Sequence, residues 1–264
     1  MGLFTTAVTG VATAVDAATL ADKNVNWIRF IFNKYCRRRI RVLVYGDSGV
    51  GKTQFLRTLT GNDSYAAPIR TRQLEHYDLV LRSGRRVRLT DTPGHKTNAM
   101  VRGQALDDMT KGKVDGVINL VDFGYQDSEQ LQKNPDQAFK VGSSEVKTEY
   151  LEGNRMLEIE RTQEIISRIN SNVKIKWFIT LINKADIWND ERDKVILYYA
   201  EEEFKPVMEH LEHATKVTTC PFCSVITPFG NKPMPLSYSE RDKRKDYNNL
   251  IRVIEEFVEG RHEQ

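Results

Sequence analysis

Four short stretches of this 264-residue chain carry residue types and spacings that could do chemistry. The first, GDSGVGKT at residues 46–53, follows an apolar β-branched run and opens a helical stretch. Successive backbone N–H groups must curl around a phosphate there, so Gly46, Gly49 and Gly51 supply backbone freedom and close approach, with Asp47, Ser48 and Val50 between them. The helix that starts at the loop's end adds the positive end of its dipole. Lys52 then reaches the β- and γ-phosphates, and the Thr53 hydroxyl is placed to ligate Mg²⁺.

The second stretch, NKAD at 183–186, follows the apolar run KIKWFITLIN. A carboxylate at Asp186 can accept from both N1–H and the exocyclic amine of guanine. Adenine presents a bare lone pair at N1 and no amine at C2, so the carboxylate would face an unmatched acceptor. Asn183 braces the loops, and the Lys184 stem covers the base plane. The third stretch, DTPGHKT at 91–97, lies between these two. Asp91 would hold Mg²⁺ through water, and the Gly94 N–H would meet a γ-phosphate. The segment after Gly94 could then move when that phosphate leaves. His95 directly after the turn either positions a catalytic water or merely follows a strand. A threonine must also report the metal and the γ-phosphate from the loop before the hairpin. Thr71 in PIRTRQ is chosen over Thr60 and Ser64 because it lies a few residues before the strand.

These stretches, in this order, resemble the P-loop GTPases of the Ras-like and translation-factor superclass. GDSGVGKT is similar to the loop of Rab-type small GTPases, whereas DTPGH is similar to elongation and initiation factor GTPases. The resemblance spans roughly residues 40–260. It implies a Ras-like α/β fold, GTP as substrate, GDP as product, Mg²⁺ as cofactor, and a slow hydrolysis that acts as a molecular switch. It also implies that His95 orients the attacking water, with Lys52, Thr71 and His95 as the catalytic set and Thr53, Thr71 and Asp91 at the metal. The fourth stretch, Cys223-Ser224-Val225, loosely matches the family's last guanine loop and puts Ser224 near the base. Arg70 and Arg72 flank Thr71 and could serve as an arginine finger in cis or equally meet a partner.

The elements that must position these residues are legible as alternation. Strands are predicted at 40–46, 76–82, 85–91, 115–122, 174–183 and within 216–226. Helices are predicted at 52–60, 97–111, 150–171, 190–213 and 240–259. Strands alternating with helices imply a mostly parallel central sheet covered on both faces, with one antiparallel hairpin strand. A GTPase domain over 40–264 is thus expected, after an N-terminal extension over 1–39. The polar stretch 123–149 breaks the alternation and reads as an insertion, functional or partly disordered. With no β-barrel domain read after the last helix, the chain is not assigned to the ribosome.

Composition narrows the partners. The net charge of +3 with 28% charged residues implies no polyanion partner for the whole chain. Arginine clusters at 82–88 and basic residues at Lys232 and 241–245 lack interleaved aromatics, so nucleic acid is not expected. Three cysteines suit a reducing, cytoplasmic location. The lone C-P-F-C at 220–223 has no second ligand pair, and His210 and His213 have no third ligand nearby, so neither pair is read as a metal site. WIRFIFNKYCRRRIR (27–41) carries six basic residues and no acid. It reads as a basic amphipathic helix that packs on the domain, enters a partner's groove or lies on a membrane surface. MGLFTT fits an acylation pattern at Gly2. The expected partner is a protein effector or regulator that meets the switch loops, the insertion and this helix. Two further readings stand beside the switch: a nucleotide-dependent interaction module with negligible hydrolysis, and a membrane-associated GTPase anchored by its N-terminal segment.

Overall fold

The computed structural model describes residues 27, 28, 30–32, 35–61, 73–94, 98–127, 131, 133–140, 143–170, 175–201, 204–211, 216–226, 229 and 237–260. Gly2, Ser64, Arg70, Thr71, Arg72, His95, His213 and Lys232 therefore lie outside the described residues.

Six strands form one sheet: β1 (Ile40–Tyr45), β2 (Glu75–Val80), β3 (Arg86–Asp91), β4 (Gly116–Val121), β5 (Trp177–Ile182) and β6 (Lys216–Pro221). Their order is β2-β3-β1-β4-β5-β6, and only the β2–β3 pair is antiparallel. β4 and β5 are buried at every position, as expected of strands covered on both faces. β2, at the sheet edge, alternates half-buried and exposed residues.

Alternate residues of β1 face two cores. Ile40, Val42 and Val44 pack with α1 (Lys52–Leu59) and the C-terminal helix; Leu43 and Tyr45 pack with Ala105, Leu106, Ile165 and Ile166. The latter four come from α2 (Ala99–Asp108) and α3 (Thr148–Asn170). The predicted 190–213 helix is broken. Short α4 (Ala185–Trp188) precedes it, and the predicted span itself resolves into α5 (Arg192–Ala200) and α6 (Lys205–Glu209). Pro206 sits in the first turn of α6. In a continuous helix its ring would strike the carbonyl four residues back and leave it without a donor. The C-terminal helix α7 (Glu240–Glu259) matches the predicted span because both ends are written locally. Ser239 and Asp242 make a capping box, and Gly260 closes the helix at φ 71°.

The 123–149 stretch is more than a polar loop. Phe123, Tyr125, Leu131, Ala138 and Phe139 are buried with Tyr198, Tyr199 and Phe229. A bridge between Phe139 and Val146 folds it back on itself. Its outward residues, among them Lys133, Asn134, Asp136, Gln137 and Lys140, stay at the surface. The aperiodic spacing of its aromatics hid the inward face.

Candidate functional site

β1 ends at Tyr45 and the chain turns through glycines that no other residue would replace without strain. Gly46, Gly49 and Gly51 have φ of 145°, 84° and 91°. A Cβ on Gly51 would stand 2.5 Å from Asn183 Nδ2, so the two predicted loops already touch. Lys52 opens α1 and turns back, donating from Nζ to Gly46 O at 3.0 Å and Asp47 O at 2.6 Å. Burial pushes its ammonium below the usual lysine range, against the opposing pull of Asp91 and Asp47. The Ser48 N–H bonds Asp47 Oδ1 at 2.7 Å, and Val50 is fully buried in the core under the loop.

The DTPG turn lies directly on this loop. A Cβ on Gly94 would come within 2.5 Å of Ser48 N and 2.6 Å of Lys52 Nζ. Thr92 anchors the turn by donating to Val44 O at 2.8 Å. Thr53 Oγ1 donates to Asp91 Oδ2 at 2.7 Å, with Asp91 fully buried at the end of β3. A hydroxyl and a carboxylate meeting beside a phosphate loop are hard oxygen donors. They suit Mg²⁺, which binds through one or two such groups plus phosphate oxygens and water.

At the other end, Asn183 Nδ2 donates to Val50 O at 2.8 Å. Lys184 takes a left-handed φ of 61°, which turns its ammonium onto Gly49 O and Asp122 Oδ2, both at 2.8 Å, and onto Tyr125 O. Ser224 is brought to the site, and both its N–H and its hydroxyl go to Asn183 Oδ1, at 3.2 and 3.0 Å. Asp186 receives instead the Cys223 thiol at 3.3 Å on Oδ1. Cys220, in β6, packs with Phe55 in one core, and Cys223, just past the strand, packs with Trp188 in another.

Several residues here carry no sequence signal. The N–H of Asp127 donates to Gly49 O at 3.2 Å, so the start of the insertion touches the phosphate loop. Arg161 on α3 stands 3.7 Å from Asp47 and 3.0 Å from Glu164. Glu164 also accepts from the Tyr45 hydroxyl at 2.8 Å and pairs with Arg102 of α2 at 3.5 Å. Burial raises the Glu164 carboxyl, but Tyr45, Arg102 and Arg161 outweigh it and leave the group below its ordinary value. Loop, α2 and α3 are thus joined by one ionic chain.

Beside it, Glu158 accepts from the N–H of Asp122 at 3.0 Å, from that of Gly124 at 3.1 Å and from the Tyr199 hydroxyl at 2.5 Å. Burial first, and then the Asp122 carboxylate, push Glu158 well above its ordinary 4.5. An acid raised in the folded state gives its full stability below pH 4.5 and loses it as pH climbs toward the folded value. Glu158→Gln cannot ionise, which removes that loss; its Oε1 still accepts from the N–H groups of Asp122 and Gly124, and the Tyr199 hydroxyl turns to accept from its amide. The variant should therefore melt higher than the unmodified protein at pH 8. At pH 4 the difference should vanish. Thermal melts of both proteins across pH check this; a constant offset would reject it.

Comparison with known proteins gives three findings. No curated protein matches the chain. Among solved structures, the mammalian SRP receptor shares the fold at TM-score 0.50 and 17% identity, over 82% of this chain and 99% of that one. A bacterial selenocysteine-specific elongation factor matches at TM-score 0.46 and 16% identity; it covers 86% of this chain, which spans only 30% of that factor. The G domain of the T. maritima FeoB iron transporter matches at TM-score 0.40 and 18% identity, over 84% and 99% of the two chains. A family model described as 50S ribosome-binding GTPase matches residues 41–184, more than half of the sequence, and this span holds GDSGVGKT, DTPG and the Asn-Lys of NKAD. With the sheet order and the meeting of these loops, the match makes the chain a GTP-binding protein that belongs to this GTPase family.

Proposed function

We propose that this GTP-binding chain hydrolyses GTP with Mg²⁺, slowly when alone, and changes shape on hydrolysis to control a protein partner. The observation that supports it best is the seating of Gly94 against Ser48 N and Lys52 Nζ. A turn resting on the phosphate loop senses whether a γ-phosphate is present and shifts when it departs. Water attacks the γ-phosphate in line, while Lys52 and the amides of the loop offset the charge that builds on the oxygens. Thr53 and Asp91, with Thr71 proposed from the sequence, would hold Mg²⁺, which would supply positive charge against the phosphates. Asp186 reads the guanine edge, held by Cys223, and Asn183 keeps the base loop on the phosphate loop. His95 places the water.

Met100, 87% exposed on the helix after the DTPG turn, supports a protein partner for the moving face. All three cysteines are free, which suits the cytoplasm. Single-turnover hydrolysis tests the reading. His95→Ala should slow phosphate release by about 10²-fold with GTP affinity unchanged, as for loss of a group that positions or deprotonates a nucleophile. Equal rates would remove His95 from the mechanism. Absence of release from the unmodified protein would favour a module that signals by occupancy alone.

A further inference from the structure

The segment before β1 presents a surface that nucleotide chemistry does not use. Trp27, Ile28, Phe30, Ile31, Phe32 and Tyr35 are helical. Phe30 docks on the β2–β3 turn, where a Cβ on Gly84 would lie 2.8 Å from Phe30 Cδ2. Below it, Arg38 stands 3.7 Å from Asp115 and Arg39 3.5 Å from Asp78. The helix is thus tied to the domain, and Arg37 lies over the Phe32 ring at 5.8 Å, yet its apolar residues remain largely exposed. Trp27, Ile28, Phe32 and Tyr35 are 64%, 61%, 50% and 66% exposed. At about 100° per residue these four and the half-buried Ile31 share an arc of about 140°, and Phe30 falls outside it. Four large side chains exposed together mark an interaction surface rather than scattered surface apolars.

Charge identifies the partner. No acidic residue occurs between Asp22 and Asp47, a span with seven basic ones. Arg37 and Arg38 are exposed at the end of the helix. Arg37 lies close enough to Arg85 that, after burial, it is the next cause holding that guanidinium below its ordinary value, with Asp115 and Glu259 opposing. The local acids, Asp78 and Asp115, are already shared among Arg38, Arg39, Arg88 and Lys176. A second copy would bring these cations against themselves. The chain's own first 26 residues offer only Asp16 and Asp22, beside Lys23. Trp and Tyr next to arginines match the headgroup layer of a bilayer, where one end of a side chain is apolar and the other wet.

We infer that this face docks on an anionic lipid bilayer, with Trp27, Ile28, Phe32 and Tyr35 entering the headgroup boundary and Arg37 meeting lipid anions. The helix precedes the N-terminal end of β1 and the phosphate loop follows its C-terminal end, about 20 Å away along six residues. Docking therefore leaves the nucleotide end facing away from the bilayer. The inference is independent of whether the chain hydrolyses GTP.

The test is co-sedimentation of the full-length, unacylated protein with vesicles of phosphatidylcholine alone or with about 30% phosphatidylserine, an anionic content that attracts basic segments. Expected are binding to the anionic vesicles, little to the neutral ones, and a steady decline with added salt. Trp177 and Trp188 are buried, so a blue shift of tryptophan emission on the anionic vesicles reports Trp27. Trp27→Ser with Phe32→Ser should lower the bound fraction roughly tenfold or more, with GTP affinity unchanged as proof of folding. Arg37→Gln should weaken anionic binding alone. A protein left in the supernatant with both compositions would overturn the inference, as would binding that the Trp27/Phe32 variant does not weaken. Concentration-dependent dimers lost in that variant, without vesicle binding, would reassign the face to self-association.

Discussion

Asp186→Asn is expected to weaken GTP binding by about 10³–10⁴-fold and to raise affinity for xanthosine triphosphate. The carboxylate is 2% exposed, so its preference is set by hydrogen bonds rather than by bulk water. Oδ1 already receives the Cys223 thiol, which orients the group. In the variant the remaining amide oxygen keeps the thiol, and the amide nitrogen takes the place of Oδ2. A donor then faces the amine of guanine, and a buried donor against a donor costs far more than the loss of one average bond. Xanthine carries a carbonyl at C2 and restores the match. Competition binding with GTP, XTP and ATP measures this directly. An unchanged GTP affinity would mean that Asp186 does not read the base.

Lys52→Met should have the second-largest effect, a loss of roughly 10²–10⁴-fold in GTP affinity. Two charge-assisted bonds to phosphate oxygens are each worth about 1.5–3 kcal/mol, and they are not fully additive. Stability should behave differently. Lys52 is buried and its charge is disfavoured there, so removing the ammonium relieves that cost while it strands Gly46 O and Asp47 O. The two effects oppose each other, so the melting temperature without nucleotide should move by only a few degrees. A large loss of stability with little loss of affinity would make Lys52 a structural residue.

What could be read before folding was whatever is written in contiguous residues. GDSGVGKT carries its own geometry, because its glycines dictate the turn and its lysine lies within reach of the same loop. β4 and β5 are short apolar runs, and α7 has its capping box and closing glycine in place. NKAD was legible for the same reason, but its support was not. Cys223, which holds Asp186, lay in a lone C-P-F-C that carried no sign of this role. Glu158 and Thr162 are polar residues on a helix and carry no sequence sign of burial; both are buried, because Asp122, Gly124 and Asn119 need partners there. Arg161, Glu164 and Arg102 meet only through packing of α2 and α3 beneath the loop. Pro206 was read as part of a helix it interrupts. Thr71 and His95, expected in the switch, lie outside the described residues and stand on the sequence alone.

The central claim is that the three loops make one site for a guanine nucleotide. Calorimetric titration of the unmodified protein with GTP and then with ATP, in excess Mg²⁺, tests it most directly. The account predicts a single site per chain for GTP and heat from ATP indistinguishable from dilution. Equal affinity for ATP, or no binding of GTP, would contradict it.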